Sequence, residues 1–167
     1  TVNGVSKSFA MTGWRLGYIG APEWITKACT KIQGQFTSGA SSISQRAALA
    51  AVSSSPNVIS PMKEASLERR NFMLKELRNM KGTKINEPKG AFYFFPDVSE
   101  LFGQHFDGKT VNNADDLCLF LLEEAKVALV TGNAFGSPNC IRISYAASME
   151  QLKEAVYRIK SAISQLN

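Results

Sequence analysis

Two cations near the start of the chain, Lys7 and Arg15, flank Met11-Thr12-Gly13-Trp14, a short run with the composition of a turn. A lysine amine attacks an aldehyde only after losing its proton, and its pKa moves readily when it is partly desolvated or set near another cation. Arg15 is such a neighbour. Arginine stays charged and offers a planar fork of N–H donors matched to a phosphate. A turn at Thr12-Gly13 would fold the chain back so that both side chains reach one small ligand. A third cation, Arg142, stands in Cys140-Ile141-Arg142-Ile143-Ser144-Tyr145, where apolar and polar residues alternate. A rigid strand there fixes the guanidinium and leaves its fork free for a bidentate carboxylate contact. Taken singly, each of the three also reads as an ordinary solvated cation, since charged side chains are mostly exposed.

The elements that must position these groups are legible in outline. Thr1-Val5 is β-prone and leads into the Lys7 loop, and Arg15-Ala21, apolar and aromatic with two glycines, suits a buried strand. Pro22 at a first helical position, with Ile25, Ala28, Cys29 and Ile32 at helical spacing, predicts a helix over 22–33. A polar Ser/Thr/Gly loop over 34–44 passes into an Ala-rich helix over 41–53. Ser60-Pro61 reads as the cap of a long helix through Met80, with Leu67, Leu74, Leu77 and Met80 inward and its many charges forming a solvated, salt-laced face. Ala91-Phe95 reads as an aromatic strand. Residues 100–112 read as a mobile polar loop holding His105, the single histidine, which is assigned no role. Asn113 caps a helix through Glu124, and Val127-Val130 is a short strand before a loop at Gly132-Gly136. Ser148-Met149-Glu150-Gln151 is a capping box opening a last helix along Leu152, Val156, Ile159 and Ile163. Helices and strands alternate without internal repeat, so the fold class is α/β or α+β.

Composition narrows the function classes. At 167 residues, 44% hydrophobic and 20% charged, the chain describes a globular protein with room for one domain or two small lobes. Cys29, Cys118 and Cys140 are scattered, without a CxxC or Cys/His cluster, so neither a disulfide framework nor a metal site is expected. The formal charge of +5 is dispersed rather than gathered into a basic stripe, so no nucleic-acid surface is expected, and a basic balance suits small anions such as phosphates and dicarboxylates. No apolar run approaches membrane-spanning length and no signal-like segment opens the chain, so no membrane partner and a cytoplasmic location are the expectations.

The run Val5-Ser6-Lys7-Ser8-Phe9-Ala10-Met11-Thr12-Gly13-Trp14-Arg15-Leu16-Gly17-Tyr18 resembles the coenzyme-lysine motif of fold-type I pyridoxal-phosphate enzymes, in particular the class I aminotransferases of the aspartate aminotransferase family. Asn139-Cys140-Ile141-Arg142-Ile143-Ser144-Tyr145-Ala146 is similar to that family's late arginine strand. Upstream, Val130-Thr131-Gly132-x-Ala134-Phe135-Gly136 matches too, with Thr131 where the family usually has proline. The resemblance implies pyridoxal 5'-phosphate as cofactor, Lys7 as its covalent anchor and general base, Arg15 as its phosphate clamp, and Arg142 as the holder of the substrate α-carboxylate. Gly90-Ala91-Phe92-Tyr93 resembles a further landmark, which makes Phe92 a wall of the substrate pocket, although an aromatic run also reads as plain core. The implied activity moves an amino group between an amino acid, of aspartate or glutamate type, and a 2-oxo acid. The implied assembly is a homodimer in which residues 34–44 approach the partner's site, a stretch that also reads as a helix-capping loop.

The same resemblance implies a C-terminal portion of a PLP-dependent transferase fold. Residues 1–55 would be the end of the coenzyme-binding large domain and 56–167 the small α/β domain with its connecting helix. The family's partner for the pyridine nitrogen and its ring-stacking aromatic precede the lysine, so this chain alone is expected to be inactive. Two other readings stay open on sequence: an aminotransferase-like effector domain of a transcription regulator, and a non-catalytic dimerisation piece.

Overall fold

Gly4 and Gly17 face each other in the ladder that closes the first loop of the chain. The strands β1 (Val2–Gly4) and β2 (Gly17–Ile19) run antiparallel, with Val2 opposite Ile19, Asn3 opposite Tyr18 and Gly4 opposite Gly17. A Cβ on Gly4 would sit 3.1 Å from the Leu16 carbonyl oxygen, and one on Gly17 would sit 3.3 Å from that of Asn3. Glycine therefore lets the two backbones meet at the neck of the loop. These residues belong to the first of two units into which the chain divides, Thr1–Met62 and Lys63–Asn167; the structure, a computed structural model, describes all residues 1–167.

Within the first unit, the loop between β1 and β2 holds a one-turn helix, α1 (Val5–Ser8), and a 3-10 turn, Thr12–Trp14. Then come α2 (Glu23–Phe36), α3 (Ser42–Ser53) and a 3-10 turn at Pro56–Ile59. The core is small: Val5, Met11 and Ala48 are buried, with Phe9, Leu16, Ala47 and Ala51 packed on them. Val5 and Met11 thus seat the loop on α3.

Three expectations fail in this unit. β2 is exposed along its length rather than buried, as the second strand of a ladder of only two. The helix expected over 22–33 starts one residue later and runs on to Phe36, and it buries none of its residues. Its apolar spacing sets helical period, while burial requires a partner face that spacing does not encode. The capping signature expected at Ser60-Pro61 occurs at Ser55-Pro56, where the Ser55 hydroxyl accepts the Asn57 N–H; Ser60 is already helical.

The helix α4 (Ser60–Arg78) carries the chain into the second unit. There the strands β3 (Tyr93–Phe94), β6 (Val130–Thr131) and β7 (Ile141–Ser144) form an antiparallel sheet in the order β3-β7-β6. Between β3 and β6 come β4 (His105–Phe106), β5 (Lys109–Thr110) and α5 (Ala114–Ala125), and α6 (Met149–Ile163) follows β7. One core joins Leu74 and Leu77 of α4, Phe94, Leu101, Leu117 and Leu121, Ile141 and Ile143, and Val156 and Ile159 of α6. The alternation read in the late strand holds, with Ile141 and Ile143 buried and Arg142 and Ser144 not. Both expected caps are present: Asn113 Oδ1 accepts the Asp116 N–H, and Ser148 and Gln151 complete the capping box. The fold class is α/β.

Here too the structure corrects details. Residues 100–112 are ordered, not a free loop: β4 and β5 pair as a hairpin, and His105 exchanges backbone hydrogen bonds with Asn167 near the other end of the unit. Leu67 is exposed, and α4 ends at Arg78. The strand expected at 127–130 begins only at Val130, because Lys126 adopts a left-handed conformation (φ 56°) to end α5. No helix is long and apolar enough to cross a membrane.

The surface charges of this unit make stability depend on pH in a definite direction. Hydrogen bonds from the Ser99 hydroxyl and then its N–H hold the Asp97 carboxyl below its usual range, and a hydrogen bond and charge attraction from Arg70 do so for Glu87. Hydrogen bonds to Glu100 and Glu123 raise Lys84 and Lys109, respectively. The carboxyl contributions are present above about pH 4 and are lost as pH falls through the folded values. The lysine contributions are complete below about pH 10.4 and are lost as pH rises through theirs. Urea midpoints measured across pH should therefore stay level between about pH 5 and 8 and fall on both sides, the alkaline fall beginning where the thiol of Cys118, raised by burial in the fold, ionises in the unfolded chain; a midpoint that climbs below pH 4 contradicts these assignments.

Candidate active site

Lys7 lies in the single turn of α1, whose backbone closes through Phe9 N–H to the Val5 carbonyl and Ala10 N–H to the Lys7 carbonyl. Val5 is 1% exposed and anchors the turn, while Lys7 is exposed. A buried neighbour two positions away thus fixes the backbone that carries Lys7. Met11 anchors the other side of the loop, and the 3-10 turn over Thr12–Trp14 delivers Arg15.

Arg15 is left-handed (φ 50°, ψ 54°), as is Ala10 (φ 53°). For non-glycine residues this conformation costs about 1–2 kcal/mol each, and such strain gathers at ligand clamps. The Arg15 guanidinium donates from Nη1 to the Thr12 carbonyl at 3.0 Å and pairs with no carboxylate. Most of its fork therefore stays open, next to the turn, on the same loop as Lys7.

In the second unit Arg142 sits on β7. Its guanidinium carbon lies 4.6 Å from the Tyr93 ring centroid and 4.5 Å from that of Phe135. Tyr93 reaches it across the sheet: Tyr93 is opposite Ser144, and Arg142 is the diagonal neighbour on the same face. Phe135 ends a 3-10 turn, Gly132–Phe135, capped by the Thr131 hydroxyl and tied by Asn133 to Asp115. Arg142 enters no ion pair and donates no hydrogen bond, so its N–H edge remains available to a carboxylate. Phe92 is half-buried, packed against the core, with its ring 4.4 Å from that of Tyr93. Tyr93 and Phe135 are the residues that sequence reasoning missed. Phe135 lay inside a recognised motif and Tyr93 beside Phe92, but only the strand register brings Tyr93 to Arg142.

Gly132 decides whether that turn can form. A Cβ there would lie 2.1 Å from the Ser137 carbonyl oxygen and 2.4 Å from that of Cys140. Both are backbone atoms fixed by the turn: the Cys140 oxygen accepts the Gly132 N–H and the Ser137 oxygen accepts the Cys140 N–H. Gly132→Ala should therefore cost about 3 kcal/mol of stability, the upper range for overpacking. A urea midpoint equal to wild type would show that the turn relaxes freely.

Two further groups are excluded from the chemistry. Burial, with the Asp115 charge adding to it, pushes the Cys118 thiol up to about 11, so it is not a nucleophile near neutral pH. His105 accepts or donates one hydrogen bond with Thr110 on an exposed hairpin. No group of His, Cys, Asp and Glu side chains clusters as metal ligands do.

Residues 1–159 match the family model of aminotransferase class I and II. The chain belongs to that family. This class I and II aminotransferase chain is 53% identical over 167 residues to the bifunctional aspartate aminotransferase and glutamate/aspartate-prephenate aminotransferase of Petunia hybrida, covering 98% of the chain and 35% of that protein. It is 50% identical to the aspartate aminotransferase of Pinus pinaster, covering 98% and 34%. The crystal structure of the aspartate aminotransferase from Rhizobium meliloti superposes with a TM-score of 0.96 at 42% identity, covering 100% of the chain and 42% of that structure. The chain thus spans about a third to two fifths of the length of these relatives. The relatives bear the names of enzymes, which leaves the regulator and dimerisation readings without support.

The donors present suit the coenzyme that the family implies. An exposed amine for an aldehyde and an open guanidinium fork for a phosphate share one loop, whose neck is closed by two glycines.

Proposed function

We propose that the complete protein is a pyridoxal-phosphate-dependent aminotransferase that moves the amino group of aspartate or glutamate to a 2-oxo acid. The observation that carries this reading is the Lys7–Arg15 loop: amine and open guanidinium on one short, glycine-closed turn, within a chain that belongs to the family. The names of the plant relatives support dicarboxylic amino donors, with prephenate among the acceptors. In this reading the protein works in the cytoplasm as a homodimer.

Lys7 would hold the coenzyme through Nζ, and its amine, when neutral, would accept the proton from the substrate Cα and give it back on the other side of the transfer. Arg15 binds the phosphate through its open donors and keeps the ligand in register with Lys7. Arg142 binds the α-carboxylate, which restricts the rotation of the substrate about that end and orients the Cα–H. The bound coenzyme supplies an electron-poor conjugated ring that accepts the electron pair left at Cα.

Mixing the complete protein and pyridoxal phosphate with aspartate or glutamate and a 2-oxo acid tests the reading. Amino transfer should be fast with the dicarboxylic donors and slower with alanine. Coenzyme that binds while no donor yields a 2-oxo acid would contradict it.

A further inference from the structure

We infer that Tyr93 and Phe135 are positioning residues that hold the Arg142 guanidinium with its N–H edge outward, so that it meets a carboxylate through two parallel hydrogen bonds. The inference rests on the proposed role of Arg142 and supplies what makes that role effective.

An arginine side chain has many rotamers, and one that binds a ligand loses that freedom unless something has already restrained it. Salt bridges commonly do this, but Arg142 has none, nor a hydrogen bond. Its guanidinium carbon lies against the two rings, at 4.6 and 4.5 Å from their centroids. Guanidinium groups stack on aromatic faces, which occupies their flat surface and leaves the edge donors unspent. An ion pair would instead consume the donors that a substrate needs. Restraint by rings is thus the kind compatible with carboxylate binding.

The rings are themselves held. Tyr93 is fixed by the β3–β7 ladder and lies against Phe92. Phe135 is backed edge-on by Phe95, with centroids 5.9 Å apart and planes at 87°. Four rings therefore flank one cation in the order Phe92, Tyr93, Arg142, Phe135, Phe95. Tyr93 and Phe135 do not pair with each other, and each ring lies against the guanidinium. Phe135 is 49% exposed, far more than a core aromatic, so filling the interior does not account for it.

The test is steady-state kinetics on the complete protein loaded with pyridoxal phosphate. Phe135→Leu and Tyr93→Leu should each raise KM for the amino donor about fivefold, the equivalent of one cation–ring contact, with kcat within about twofold and the coenzyme spectrum unchanged. Phe135→Tyr, which keeps a ring, should stay near wild type. In an Arg142→Ala background, Phe135→Leu should change KM by less than about twofold, because no guanidinium remains to be held. Equal effects in both backgrounds would mean that the ring acts on the fold rather than on Arg142, and would overturn the inference. If Arg142→Ala raises KM while the ring variants do not, the inference fails and the role of Arg142 stands. If Arg142→Ala leaves KM unmoved, the role of Arg142 fails and the inference with it.

Discussion

Arg142→Ala in the complete protein should lower kcat/KM for the amino donor by about 10²- to 10³-fold, the equivalent of about 3–4 kcal/mol from the two charge-assisted hydrogen bonds to one carboxylate that are proposed for it. The loss falls on function and not on folding. Arg142 contributes no ion pair to the fold, and the residues beside it on the strand, Ile141 and Ile143, carry the burial. The variant should therefore melt close to wild type, short only of two ring contacts worth about 0.5–1 kcal/mol each. Arg142→Lys should recover little of the loss. An ammonium offers a point charge without the planar fork, and it would not fill the slot between Tyr93 and Phe135 in the same way. Donor-dependence curves for the two variants, set beside their melting temperatures, decide the matter. A lysine variant near wild type would mean that charge alone suffices.

Lys7→Ala has the larger effect. In the proposed reaction it removes both the group that holds the coenzyme and the group that carries the proton, and positioned proton transfer alone is worth about 10²–10⁴-fold, so kcat should fall by about 10⁴-fold or more. Lys7 is exposed on α1, whose anchor is Val5, so the variant should fold normally. Arg15 remains in place, and the coenzyme should still bind through its phosphate, without a covalent link. Lys7→Arg keeps the charge and should be equally inactive, since a guanidinium does not give up its proton. Single-turnover measurements with aspartate separate the outcomes: coenzyme bound with no amino transfer is the expected result.

What the sequence made legible were features fixed by neighbours along the chain. The caps at Asn113 and Ser148 need only residues three positions on, and the alternation through Ile141-Arg142-Ile143-Ser144 needs only the two-residue period of a strand. The Lys7–Arg15 loop was legible for the same reason, because a turn and two cations lie within one short stretch. What escaped depended on distant pairing. The hairpin at His105 is held to Asn167, and nothing near His105 announces that bond. Tyr93 meets Arg142 only through strand register, and Phe135 only because Gly132 permits a turn too tight for a Cβ. The apolar stripe along Ile25, Ala28, Cys29 and Ile32 encoded a helix correctly, yet α2 buries none of its residues, since burial belongs to a partner surface rather than to the pattern.

The most direct test of the account is to load the complete protein with pyridoxal phosphate, reduce it with borohydride and map the modified peptide by mass spectrometry. A single phosphopyridoxyl group on Lys7 is expected, absent from Lys7→Ala and prevented by prior incubation with an excess of the amino donor. A modification spread over surface lysines, or one that persists unchanged in Lys7→Ala, would contradict the assignment of Lys7 and with it the proposed chemistry.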